Sequence, residues 1–363
     1  MKASIITFHF VNNFGGMLQA FALQETVRNQ CGSEAEIINY RNAFITITDF
    51  IRLFPVTRNP KEILSGLKTM PERFGRRKKF NAFLHRRMNL SAKAYNGVSL
   101  RNVPPEADVY ICGSDQIWNP YLTFGIKGPY FLSFVREGKR RIAYAPSFGN
   151  ASMPSVFRSK VKQYLEKFDA LSVREKSGSS LIRELTGREA PQLIDPTFLP
   201  ERKEWEAAAI PPKNTEPYLL LYIMQSDAHM YEYARTLKEK LGLRVVEISR
   251  YGYKPDFVDE TLVDVGPEEF LGLFQYASYI CTNSYHGFIF SLIFEKHFCL
   301  IPCKRFRTRI YNLAELLSMK IVETAPENAE DTVYDPRTVR EVIGRERRAA
   351  LAWLNGYIRG SAD

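Results

Sequence analysis

A histidine closes the stretch Tyr279-Ile280-Cys281-Thr282-Asn283-Ser284-Tyr285-His286-Gly287, in which a short apolar run turns polar and a second one, 288–294, follows at once. That order reads as a strand whose carboxyl end passes straight into a helix. In an open parallel sheet, ligands bind outside the carboxyl ends of the strands. A helix N-terminus there offers unpaired N–H groups and a positive dipole end to an anion. His286 is placed to meet both that anion and a reacting partner, with Asn283, Ser284 and Gly287 as further donors. Cations follow at Lys304, Arg305, Arg307 and Arg309, and Arg174 stands at another strand end. A histidine satisfied by a neighbouring carbonyl is the plainer alternative, which this company weakens.

The second constellation is Gly113-Ser114-Asp115-Gln116-Ile117-Trp118-Asn119-Pro120. It crowds hydrogen-bonding side chains and an indole at a strand end, the combination of polar fork and aromatic platform that holds sugars. Ser114, Gln116, Trp118 and Asn119 are candidate acceptor ligands, and Asp115 could orient or deprotonate a hydroxyl. Its plainer role is to cap the turn that follows. Ahead of a helical pattern, Asn12-Asn13-Phe14-Gly15-Gly16 could present Asn13 and the N–H groups of Gly15 and Gly16 to a phosphate or sugar, with His9 on the same strand end. A tight turn needing glycine freedom explains it equally well. It is neither a dinucleotide fingerprint nor a P-loop. No serine elbow, Cys–His–Asn framework, glycosidase-like carboxylate pair or metal-spaced Cys/His cluster is present. The set suits an anionic donor and a hydroxylated acceptor, without a metal.

These groups sit at the ends of continuous apolar runs (4–8, 109–112, 142–145, 171–173) that alternate with helical patterns (17–29, 155–168, 177–186). Strands that are apolar throughout, rather than alternately, indicate a parallel sheet covered on both faces. Prolines 196, 200, 211, 212 and 217 mark a junction, after which the pattern restarts. Strands are expected at 218–224, 244–248, 279–281 and 298–301, with helices at 230–241, 267–276, 287–294 and 308–317. A last amphipathic helix starts at Asp335-Pro336. The expected organisation is an N-terminal α/β domain over 1–195, a linker over 196–217, a C-terminal α/β domain over 218–334 and a helix over 335–363, with a cleft between the domains.

The chain has 363 residues, ample for two domains, and a net charge of +10. Residues 52–101 carry 13 Lys/Arg and 2 Asp/Glu, a balance of +11 that leaves the rest at −1. Basicity confined to one segment, here assigned to the N-terminal domain, argues against a general nucleic-acid binder and for a local anionic contact. Phe80, Phe83, Leu84 and Met88 fall at helical spacing within it. They form either the docked face of a solvated basic helix or a helix lying on anionic lipid headgroups. Five cysteines without paired spacing fit a reducing compartment, and no apolar run is long enough to span a bilayer. The expected location is the cytoplasm, with peripheral contact at the inner membrane face.

The motifs together resemble the polysaccharide pyruvyltransferase family. They comprise Asn13-Phe14-Gly15-Gly16 with Leu18-Gln19-Ala20, the stretch 108–120, Tyr144-Ala145-Pro146-Ser147-Phe148-Gly149, Ser172-Val173-Arg174-Glu175, Asp195-Pro196-Thr197 and Ser284-Tyr285-His286-Gly287. The resemblance implies two Rossmann-like domains in a glycosyltransferase-B-like arrangement. It also implies transfer of pyruvate from phosphoenolpyruvate to two hydroxyls of a sugar or lipid-linked oligosaccharide, closing a cyclic ketal without a cofactor. His286 would be the acid or the phosphate partner, and Arg174 would hold the donor's anion. Some members have Arg-Leu-His where this chain has Ser284-Tyr285-His286. Arg309 matches the downstream arginine of members with the Ser-aromatic-His-Gly form, and Arg307 lies beside it. Other members have a glycine run where Asp115 stands. A nucleotide-sugar glycosyltransferase, or a non-enzymatic glycan- or nucleic-acid-binding protein, remains an alternative reading of the residues.

Overall fold

The structure is a computed structural model that describes residues 1–55, 57–149, 152–224, 228–302, 307–321 and 334–360. The first half runs β1 (Lys2–Ile6), α1 (Phe14–Asn29), β2 (Glu34–Tyr40), α2 (Ala43–Ile51), α3 (Pro60–Lys68), α4 (Met70–Arg87), β3 (Leu90–Tyr95), α5 (Gly97–Asn102), β4 (Val109–Cys112), α6 (Pro120–Thr123), β5 (Arg140–Ala143), α7 (Ser155–Leu165), β6 (Ala170–Leu171) and α8 (Lys176–Thr186). The second half runs α9 (Arg202–Ala208), β7 (Tyr218–Tyr222), α10 (Ala228–Leu241), β8 (Arg244–Ile248), β9 (Glu260–Leu262), α11 (Pro267–Tyr276), β10 (Tyr279–Thr282), α12 (Tyr285–Ile293), β11 (His297–Leu300), α13 (Arg307–Leu316) and α14 (Pro336–Arg359).

The strands form two parallel sheets, ordered β3-β2-β1-β4-β5-β6 and β11-β10-β7-β8-β9. In each, the order reverses at the first strand of its half, between β1 and β4 and between β7 and β10. Doubly wound sheets bind ligands at such points. The central strands are buried along nearly their whole length, β4 as Val109-Tyr110-Ile111-Cys112 and β7 as Tyr218-Leu219-Leu220-Leu221-Tyr222. That is the pattern of a sheet covered on both faces.

The chain divides into two compact units, and neither is continuous. The first comprises Met1–Thr48, Leu84–Pro200 and Ile343–Asp363; the second comprises Asp49–Phe83 and Glu201–Val342. The expected assignment of the basic segment to the N-terminal domain is thereby corrected. Most of it belongs to the second unit, where Lys79 of α4 and Thr69 just before the helix are bonded. Lys79 Nζ donates to the Asp264 carbonyl at 2.8 Å and to Glu269 at 2.8 and 3.0 Å. Thr69 Oγ1 donates to the Tyr251 carbonyl at 3.1 Å.

Phe80, Phe83, Leu84 and Met88 are buried, so the apolar stripe of α4 is core and not a lipid-inserting face. Each such side chain contributes roughly 1.5–3 kcal/mol by leaving water. Among the described residues no helix is long and apolar enough to cross a membrane.

The proline-rich stretch 196–217 is folded rather than a linker. It contains α9, whose Trp205 is buried, and Ile210 N donates to the Glu268 carbonyl of α11 at 2.9 Å. A Cβ on Gly272 would stand 1.8 Å from Ile210 O, so only glycine lets this backbone lie against α11. The end of α14 is fixed by Arg140, whose Nη1 donates to the carbonyls of Tyr357 (3.0 Å) and Ile358 (2.6 Å). A cation at a helix C-terminus satisfies carbonyls that have no partner within the helix.

Candidate functional site

At the reversal point of the first sheet, β1 leads into α1 and β4 into the Ser114–Asn119 loop. Asn13 caps α1, its Oδ1 accepting from Gly16 N at 2.9 Å. A Cβ on Gly16 would lie 3.6 Å from Asp115 Oδ2, so the first turn of α1 runs directly beside the Asp115 carboxylate. The positive end of the helix favours that charge.

Asp115 has φ 65°, in the left-handed region. Its backbone is held by a parallel bridge to Pro146, with Ser147 N donating to Asp115 O at 2.9 Å. Aspartate tolerates this conformation better than most residues, and glycine adopts it freely. Glycine at this position would keep the loop's shape without the carboxylate.

The expected contact of Arg174 with a donor anion is corrected. Its guanidinium lies among carboxylates: Nη1 to Asp195 Oδ2 at 2.6 Å, Nη2 to Asp115 Oδ1 at 3.5 Å, and Nε to Glu175 Oε2 at 4.0 Å. The side chain is 2% exposed, whereas that of Asp115 is 15% exposed and reachable. Asp195 also accepts from Thr197 N (3.0 Å) and Thr197 Oγ1 (2.7 Å), and Ser147 Oγ donates to Glu175. Arg174 thus orients Asp115 from beneath. Asp195 and Glu175 were visible in the sequence as motif members, but nothing there assigned them to this ion-pair network.

The sugar platform expected of Trp118 is also corrected. The indole is fully buried, stacked on Phe131 (4.9 Å between centroids, 5° between planes), and its Nε1 donates to the Tyr130 carbonyl at 2.9 Å. Gln116 and Asn119 are buried and bonded to each other at 2.7 Å, and Asn119 caps α6. Ser114 is buried, with its carbonyl accepting from Thr7 Oγ1 at 3.0 Å. These three shape the loop rather than line a surface.

His9 is buried, with Nδ1 3.0 Å from the Thr7 carbonyl. Burial depresses its pKa to about 4, against the opposing Thr7 and Asn39 bonds, and Arg41 lowers it further. It is a neutral structural imidazole. Gly15 and Gly16 are buried in the first turn of α1, so of the acceptor candidates Asp115 and Asn13 retain exposure.

At the reversal point of the second sheet, β10 ends in Thr282, whose Oγ1 donates to the Tyr222 carbonyl of β7 at 2.7 Å and accepts from Ser284 N at 3.1 Å. Asn283 Oδ1 accepts from Met224 N at 2.8 Å, tying the ends of β7 and β10 together. Ser284 caps α12 by accepting from Gly287 N at 3.3 Å. A Cβ on Gly287 would stand 2.3 Å from Thr282 Oγ1, so this turn of the helix can close over Thr282 only with glycine.

His286, in the first turn of α12, is 7% exposed, and its ring meets Tyr285 edge-on at 5.2 Å. The Arg309 guanidinium lies over the same Tyr285 ring at 4.9 Å, close enough for cation–π attraction. Arg307 is exposed at the start of α13; Lys304 and Arg305 lie outside the described residues. Tyr222, missed by the sequence reading, is held at the β7 end. Burial pushes its hydroxyl up to about 12, opposed by the Arg76 charge and a Ser284 hydrogen bond. Among the described residues no His/Cys/Asp/Glu group is arranged to hold a metal ion.

A family model described as polysaccharide pyruvyl transferase matches residues 13–305. No curated protein matches the sequence. Solved structures similar to the chain include a UDP-GlcNAc 2-epimerase of Methanocaldococcus jannaschii bound to UDP-GlcNAc and UDP (12% identity, covering 95% of this chain and 99% of that one, TM-score 0.45). Two others are S. aureus MnaA with UDP (12%, 96% and 90%, 0.49) and E. coli heptosyltransferase WaaC with ADP (12%, 95% and 100%, 0.43).

Proposed function

We propose, starting from a chain that belongs to the polysaccharide pyruvyl transferase family, that it transfers the pyruvyl group of phosphoenolpyruvate to two hydroxyls of a sugar, free or lipid-linked, as a cyclic ketal. The observation that carries this reading is that each sheet brings one group capable of proton transfer to its reversal point: the Arg174-oriented Asp115 carboxylate in the first, and His286 in the first turn of α12 in the second.

Phosphoenolpyruvate is an enol phosphate with a carboxylate, so its site calls for N–H donors and cations rather than a nucleophile. The N–H groups of α12, His286 and Arg309 answer to that need. His286 delivers a proton to C3 of the donor, which leaves C2 electrophilic. Asp115 takes the proton of the first sugar hydroxyl as its oxygen bonds to C2. The second hydroxyl then attacks C2, the bond from C2 to the phosphate oxygen breaks, and phosphate leaves with the second hydroxyl proton. No electrons are exchanged with a cofactor, so the reaction is redox-neutral.

The test incubates the protein with phosphoenolpyruvate and a panel of sugars, reading released phosphate and the pyruvyl mass increment on the sugar. His286→Ala should lower turnover roughly 10²–10⁴-fold with donor affinity largely kept. Release of nucleoside diphosphate from a nucleotide sugar, with no phosphate from phosphoenolpyruvate, would replace this reading with glycosyl transfer.

A further inference from the structure

The cations of the basic segment that the ion pairs of α4 leave unexplained converge inside the second unit. Arg73 is buried; its guanidinium lies over the Tyr251 ring at 4.9 Å and its Nη2 donates to the Arg52 carbonyl at 2.6 Å. Its Nη1 is buried without a hydrogen-bond acceptor among the described residues. Arg250, which follows the end of β8, lies over the same ring at 5.3 Å and is exposed. One turn along α4 from Arg73, Arg76 is partly exposed and lies 5.6 Å from the Phe80 ring. Loss of surrounding water lowers its pKa to about 10. Arg250 and Arg73 push it the same way, against Tyr222 and the Asp49 carboxylate. Tyr222 in turn reaches Ser284, the cap of α12. Three guanidinium groups thus gather at the carboxyl end of the second sheet, beside the helix that carries His286.

Like charges drawn together in poorly hydrated surroundings repel each other. A multiply charged anion relieves that repulsion, and guanidinium forks bind phosphate in two-point fashion.

We infer that Arg76, flanked by Arg73 and Arg250, is the anion subsite of the second unit and receives the phosphate group of the donor. The identity of that donor rests on the function proposed above; the subsite itself does not. The basic segment then serves an internal ligand, with Lys79 and the apolar stripe docking the helix that delivers Arg73 and Arg76.

The experiment measures thermal melting and calorimetric binding of the full-length protein with inorganic phosphate, phosphoenolpyruvate and uridine diphosphate. It compares wild type, Arg76→Met, Arg76→Lys and the exposed-residue control Lys78→Met. Phosphate should raise the melting temperature of wild type and Lys78→Met but not of Arg76→Met. Phosphoenolpyruvate affinity should fall roughly 10- to 100-fold in Arg76→Met and less in Arg76→Lys, which keeps the charge but loses the fork.

Should Arg76→Met fail to fold, Arg76→Lys decides: phosphate and phosphoenolpyruvate affinities equal to those of wild type overturn the subsite. Unchanged phosphate and phosphoenolpyruvate binding in both Arg76 variants overturns it and leaves the pyruvyl reading standing. An Arg76-dependent response to uridine diphosphate, with none to phosphoenolpyruvate, keeps the subsite and removes the pyruvyl donor.

Discussion

Replacing Arg174 by methionine takes away a cation that Asp115, Glu175 and Asp195 share. The side chain is 2% exposed, that of Asp195 is 0% exposed, and they meet at 2.6 Å, so the carboxylates left behind gain little water in exchange. Removing one partner of a buried ion pair typically destabilises by about 3–5 kcal/mol. For a folding unit of this size that corresponds to roughly 6–20 °C in melting temperature. Asp195→Asn in the same background should restore part of the loss, because one of the stranded charges is neutralised and the amide oxygen still accepts from Thr197. A coupling of about 0.5–3 kcal/mol is expected from the double-mutant cycle. The assay is circular-dichroism melting of wild type, both single variants and the double variant in one neutral buffer. Kinetics at low temperature complete it: turnover should fall as Asp115 loses its orientation, with the Michaelis constant for phosphoenolpyruvate nearly unchanged. If Arg174→Met melts like wild type while that constant rises by orders of magnitude, the guanidinium acts on the donor and the network account is wrong.

His9, neutral in the fold with a pKa near 4 against 6.5 for a free histidine, contributes stability that is complete above pH 6.5 and is lost as pH falls through about 4. That amounts to about 3 kcal/mol; chemical denaturation should show a shallower acid slope for His9→Asn, and equal slopes would refute the assignment. Trp118→Ala should destabilise by about 3–5 kcal/mol through the cavity it leaves, with the acceptor Michaelis constant of the folded fraction unaltered. A raised constant with unchanged melting would restore the sugar platform. Because Phe80, Phe83, Leu84 and Met88 are buried, any sedimentation with anionic vesicles should rest on exposed Lys78, Arg86 and Arg87 and vanish at high salt. Binding that survives salt would mean that α4 leaves its packing.

What the sequence disclosed depended on how local the determining physics was. β8 and α11 have the bounds read from the sequence, since four consecutive strand residues bury together in one and a proline at the first helical position starts the other. β2 escaped notice because Glu34 and Glu36 interrupt its apolar run. Glu36 is tolerated there by Ser4 Oγ at 2.7 Å and Lys2 at 3.3 Å, which are neighbours only once the sheet exists. Trp118 misled for the same reason: polar residues flank it in sequence, whereas Phe131, Phe148 and Phe168 surround it in space. The positions of His286 and Asp115 at strand ends were legible, because a strand running into a helix start is a local pattern. The company kept by Arg174 and Arg76 was not, because it is assembled from strand ends and helices far apart in sequence.

The interleaving of the two units bears on how the chain comes off the ribosome. The first six strands are all synthesised by Leu171, yet the residues that complete their unit begin at Ile343. At about 5–20 residues per second, synthesis of 201–342 separates the two by roughly 7–28 s. Through that interval Arg140 has neither the Tyr357 nor the Ile358 carbonyl to cap, and Asp49–Phe83 emerges well before the strands it joins. Neither unit can be isolated by a single cut: a fragment ending at Pro200 would carry α4 without Asp264 and Glu269, and one beginning at Glu201 would lack Arg73 and Arg76. Dissecting this protein into halves would therefore remove part of each sheet's own packing along with the other half.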